Sequence, residues 1–189
     1  TALAARGFDF EFVATVDVLG TVSGGLDAGW EAPANFDLVM TVDTASAGWW
    51  QNGTFNLYFL GNAGGDPSTR TGDYQIASNI EAPDTFKLFE AWYEHRFLDD
   101  RVSVLAGLHD MNSEFYVTEH GLMFINSSFG IGPEAGQVLP SMFPTTSLGL
   151  RLRVAPTHNS YVIAGVYDGV PGDPTDPYGT EVAFDDGDG

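Results

Sequence analysis

Two groups of charged residues at alternate positions are the first features of this 189-residue sequence that bear on chemistry. Glu90 and Glu94 flank Trp92, and Arg151 is followed two positions later by Arg153. Residues two apart share one face of an extended strand. Each group therefore presents its side chains together. Carboxylates, guanidinium groups and an indole on one surface suit hydroxyl-rich solutes, because charged groups bond to hydroxyls and an aromatic face meets apolar C–H groups. Asp37 and His109 hold the polar parity of their own runs and join these five as candidate contacts. A glycosidase pair does not follow. On a strand Glu90 and Glu94 lie about 13 Å apart at about 3.3 Å per residue, beyond the roughly 5–9.5 Å that carboxyl pairs in such enzymes use. No enzyme is expected.

Other chemistry is thin. The four histidines are scattered without metal-ligand spacing, and the absence of cysteine excludes thiolate sites. Asp173, Asp176, Asp185, Asp186 and Asp188 cluster near the C-terminal end, but they lack the closing glutamate of a calcium-binding loop and read as a solvated segment. No metal and no cofactor are expected. A net charge of −19, from 26 acidic against 7 basic residues, would repel phosphate backbones, which excludes a nucleic-acid partner.

The elements that carry these residues read as strands. Phe8 to Val18 alternates Phe8, Phe10, Phe12, Ala14, Val16 and Val18 with Asp9, Glu11, Val13, Thr15 and Asp17. The same period-two pattern recurs about 35–43, 54–59, 89–97, 102–109 and 148–154, and the run about 161–167 is apolar on both faces. No apolar run is long enough for a transmembrane helix. With 23 glycines and 10 prolines, the chain is all-β and antiparallel.

Connection lengths sharpen the class. Short turns about 44–52, 98–100 and 156–159 alternate with long segments about 19–33, 61–85 and 111–147. Transmembrane barrels sort short periplasmic turns to one end and long outer loops to the other. The pattern predicts a transmembrane β-barrel in a bacterial outer membrane, with its apolar parity on lipid and its polar parity lining water. A basic side chain on the lipid face at mid-depth would cost about 2–4 kcal/mol, which places Arg151 and Arg153 inside. Lys87 and His95 fall on the lipid-facing parity near the ends of their strand, with Phe89, Tyr93 and Phe97. Seven strands do not close a barrel of this kind, which uses an even number. The chain therefore reads as incomplete, residues 1–189 being the N-terminal part of a single barrel domain.

Ordered motifs then point to a family. Leu3-Ala-Ala-Arg-Gly, Val22-Ser-Gly-Gly, Ser78-Asn-Ile-Glu-Ala-Pro, Leu88-Phe-Glu-Ala-Trp-Tyr-Glu and Ser113-Glu-Phe occur in sequence. Phe124-Ile-Asn-Ser-Ser-Phe-Gly, Gly149-Leu-Arg-Leu-Arg-Val and Asp168-Gly-Val-Pro-Gly-Asp-Pro follow. From about residue 3 to 174 the chain resembles the bacterial carbohydrate-selective porins. The resemblance implies a 16-stranded outer-membrane barrel passing small sugars by diffusion, with this chain supplying roughly the first half. It also implies that the segment about Phe124–Phe129 folds inward to narrow the pore. Glu90, Trp92, Glu94, Arg151 and Arg153 match the family's strand motifs. The acidic loops depart from it and would weaken any preference for anionic solutes. Sugars and membrane lipid are the expected partners, with monomer and homotrimer both open. The competing reading is a soluble β-sandwich that binds carbohydrate with calcium.

Overall fold

The computed structural model describes residues 2–118, 120–130, 141–172 and 180; the aspartates at 173, 176, 185, 186 and 188 lie outside these. Seven strands form one antiparallel sheet, each pairing with the next in the chain: β1 (Phe8–Val16), β4 (Ala34–Asp43), β5 (Gly53–Ala63), β6 (Thr85–Phe97), β7 (Val102–His109), β8 (Ser147–Thr157) and β9 (Ser160–Tyr167). A two-stranded ribbon, β2 (Leu19–Thr21) with β3 (Gly29–Glu31), decorates the first long connection. Among the described residues the meander leaves one unpaired edge on β1 and another on β9, so the sheet they form is open rather than closed. β4, β5, β6 and β8 have 10, 11, 13 and 11 residues, enough for the roughly 9–11 that a tilted strand needs to cross a bilayer.

Burial in the sheet inverts the rule for soluble proteins. Arg151, Glu90, Asn56, Ser103 and His109 are buried, whereas Phe10 is 53% exposed, Phe86 71% and Val166 77%. Cross-strand register explains the sorting. Phe10 pairs with Met40, Met40 with Leu57, Leu57 with Ala91 and Ala91 with Leu108, an apolar row running across five strands. Thr54, Glu94, Leu105 and Arg151 form a row on the opposite face. No second sheet packs on the apolar face among the described residues, which a β-sandwich would require. β9 also acquires its sides: Tyr161, Ile163 and Tyr167 share the face of Arg153, and Val162 and Val166 point outward.

Two parity assignments from sequence are overturned. β5 and β6 shift register between Tyr58 and Phe59, where Tyr58 pairs with Glu90 but Phe59 with Leu88. Phe89 is the extra residue of this bulge. N-terminal to it, the two faces of β6 exchange. Lys87 therefore pairs with Leu60 on the inner face, is buried, and donates to the Thr145 hydroxyl at 3.1 Å. Phe89 is not on the lipid face either; it is buried against Tyr58 and Phe143.

The short-turn end carries an aromatic belt. Trp50 Nε1 donates to the Tyr93 hydroxyl at 2.6 Å, and Trp49, Phe55 and Phe8 pack around them. His95 lies against Phe97 and shares a 2.6 Å hydrogen bond with Tyr93. Rings with polar tips at this level suit a membrane–water interface.

The inversion makes a direct prediction. Leu150→Lys places a cation at the centre of the outer face, where Leu150 is half exposed and would tolerate lysine if water surrounded it. In a bilayer the substitution is expected to cost about 2–4 kcal/mol. Urea unfolding of the protein in lipid vesicles measures this, and an unchanged midpoint would reject a lipid-facing Leu150.

Candidate functional site: the inner wall

The inner face is built in three cross-strand rows. The central row runs Thr54, Glu94, Leu105, Arg151 and Gly165 from β5 to β9. Arg151 organises it. Its Nη1 donates to Ser103 Oγ at 2.6 Å and its Nη2 to Glu94 Oε1 at 2.9 Å. Its Nε and Nη2 also make a fork onto the Glu114 carboxylate, at 2.6 and 2.7 Å. Glu94 accepts a further bond from Arg96 Nε at 3.1 Å, and Arg96 Nη2 donates to Thr54 at 2.7 Å. A buried guanidinium held this way is electrostatically satisfied.

Toward the long loops, the next row is Asn56, Trp92, Gly107, Gly149 and Tyr167. The two glycines leave room for the two rings. A Cβ on Gly149 would lie 2.4 Å from the Tyr167 ring. His109 stands between the aromatics, edge-on to Trp92 at 6.2 Å and stacked on Tyr167 at 5.9 Å, and shares a 2.8 Å hydrogen bond with the Tyr167 hydroxyl. Glu90 accepts from Asn56 Nδ2 at 3.2 Å and from the Asp110 amide at 2.8 Å. Toward the short turns, Arg96, Ser103, Arg153 and Ile163 form the third row.

The sequence-derived candidates thus fall on one face, but they do not act as one cluster. Glu94 and Arg151 meet directly; Glu90, Trp92 and His109 form a neighbouring group; Arg153 lies apart over the Tyr161 ring, 4.8 Å from its centroid. Asp37 is further along the wall, accepting from the Tyr58 hydroxyl at 2.6 Å. Sequence reasoning missed Glu114, Ser103, Tyr58 and Tyr167. Glu114 sits in a loop without periodicity, and only its place in Ser113-Glu-Phe marked it. Among the described residues, no group of three or more histidines and carboxylates is placed to hold a metal ion.

The long connection between β7 and β8 folds onto this wall at both ends. Asp110 caps a short 3-10 turn (Met111–Ser113) by accepting from the Asn112 amide, and this turn delivers Glu114 to Arg151. Returning, Ser141 Oγ donates to the His109 carbonyl at 2.7 Å and accepts from the Ser147 amide, while the Thr146 hydroxyl donates to the Phe89 carbonyl. Residues 124–129 dock on the preceding long connection, where Asn79 and Ser127 amides bond to Ile125 and Ile76 carbonyls. Arg70 fastens that connection to the β2–β3 ribbon through Asp27 at 2.8 Å and Glu31 at 2.5 Å.

Burial pushes the carboxyls of Asp110 and Glu81 up, Asp110 to about 6. A carboxyl with a raised folded-state value binds its proton more tightly when folded, so it favours the folded loop below its ordinary 3.8 and progressively less up to about 6. Thermal stability in detergent is expected to fall as pH rises through that window. Asp110→Asn, which keeps the capping oxygen, should flatten that part of the profile; an unaltered profile would remove Asp110 from the account.

Sheet, inverted burial and mixed-charge wall define the class: a transmembrane β-barrel of the porin type. Residues 32–189 match the model of the carbohydrate-selective porin, OprB family, and the chain belongs to that family. Its members are outer-membrane proteins, and the chain is assigned to that membrane. A high-pH structure of Pseudomonas putida OprB is similar in fold, with a TM-score of 0.78 and 20% identity. The match covers 88% of this chain and 42% of that one, so the chain spans about two fifths of the solved protein. No curated protein matches.

Proposed function

We propose that this chain is the N-terminal part of a single barrel that forms a passive, water-filled channel for small sugars across the outer membrane. Family membership supports a channel rather than an enzyme. The observation that carries the reading is the inner wall itself: buried Glu90 and Arg151 and part-buried Glu94 beside Trp92 on one face, with Phe10 and Leu150 exposed on the other. Trp92, Glu94, Asp37 and Arg153 contact passing sugars, while buried Glu90 and His109 brace the wall beside Trp92 and Arg151 holds the 110–114 turn against it. Weak, dispersed contacts of this sort favour sugar entry without slowing release. Conductance of the full-length protein in planar bilayers, titrated with glucose, tests the proposal. Sugar-dependent reduction of the current supports it. A protein that stays soluble without detergent, or a membrane-resident barrel that conducts nothing, overturns it.

A further inference from the structure

Residues 99–101 and 155–158 of the short-turn end border an open cavity of about 610 Å3 at the end of the wall remote from the long loops. Asp99, Asp100, Arg101, Arg153, His158 and Tyr161 line it. Its size falls within the roughly 300–1,000 Å3 of small-molecule sites. The cationic side chains of the wall differ in their availability. Arg151 is filled by Glu94, Glu114 and Ser103, and Arg96 is engaged by Glu94 and Thr54. Arg153, by contrast, has no carboxylate in ion-pair range among the described residues and rests on the Tyr161 ring. Stacking on an aromatic face orients a guanidinium while leaving its N–H fork open to a ligand. Tyr161 remains 58% exposed.

We propose that this cavity is a second sugar site, at the periplasmic mouth, in which Arg153 bonds adjacent hydroxyls and Tyr161 meets the apolar face of the sugar. The proposal rests on the channel reading above. A neutral sugar fits better than an oxyanion, because Asp99 and Asp100 share the cavity with the guanidinium groups and would repel one. Both aspartates have left-handed backbone angles, φ 53° and 64°. Positive φ at consecutive residues is what this tight hairpin turn requires.

The test uses the full-length protein in oriented planar bilayers, with glucose and, separately, inorganic phosphate added on the short-turn side. Tyr161→Ala and Arg153→Gln are each expected to raise the half-blocking glucose concentration on the order of three- to tenfold, and Tyr161→Ala is expected to retain open-channel conductance in salt. Tyr161→Phe, which keeps the ring, should bind glucose like the parent. Glucose block indifferent to all three substitutions overturns the second site while leaving the channel standing. Phosphate blocking as strongly as glucose overturns the choice of a neutral sugar. Absence of any channel removes the underlying reading and this site with it.

Discussion

Arg151→Ala is expected to widen the channel and weaken the barrel in the same protein. The side chain is 3% exposed, and its loss leaves Glu94 and Glu114 facing each other across the gap that the guanidinium filled. Removing one partner of a buried ion pair costs roughly 3–5 kcal/mol; because Glu114 remains partly solvated, the lower end, about 3 kcal/mol, is expected. The repulsion acts on the 110–114 turn, which is held to the wall by this fork and by the Asp110–Glu90 contact. Single-channel conductance should rise, and conversion from the folded to the unfolded gel form should occur at lower temperature. Arg151→Lys should recover only part of both, since an ammonium cannot reproduce a planar fork and two further bonds at once. If conductance is unchanged in Arg151→Ala, the turn does not bound the pore.

Much of this arrangement is legible in the sequence, for a physical reason. A strand with water on one side and hydrocarbon on the other must alternate, so period two reported six of the seven strands and the side on which Arg151, Glu94 and Asp37 lie. The same rule failed at Lys87 and Phe89. A bulge adds one residue without any compositional mark, and every side chain on the far side of it changes face. The contacts of Glu114 were hidden differently: a loop has no periodicity, and its return to the wall depends on tertiary hydrogen bonds from Asp110 and Ser141. β9 withheld its sides because apolar residues such as Ile163 stand on its inner face. Tyr161 and Tyr167, which make the aromatic contacts with Arg153 and His109, were therefore invisible as site residues.

Gly107 is the position where a single methyl group should do the most damage. Its φ is +138°, a backbone conformation that other residues rarely adopt. It also pairs with Trp92, and a Cβ there would lie 2.3 Å from the Ala91 carbonyl oxygen and 2.7 Å from the Trp92 Cα. Both clashes are with backbone atoms of the neighbouring strand, so no rotamer change relieves them. Backbone strain of about 1–3 kcal/mol adds to overpacking of about 1–3 kcal/mol, giving roughly 4 kcal/mol for Gly107→Ala. The strain falls on the β6–β7 pairing, the joint between the Trp92–His109 group and the Arg151 row. Gly107→Ala should therefore lower the fraction of protein that folds into vesicles and shift the tryptophan fluorescence of what does fold. Because β6 carries Glu90, Trp92 and Glu94 together, slippage at this joint should also alter sugar block in the folded fraction. Wild-type folding yield and block in Gly107→Ala would show that the sheet at Gly107 accommodates a side chain and that Trp92 is not positioned through it.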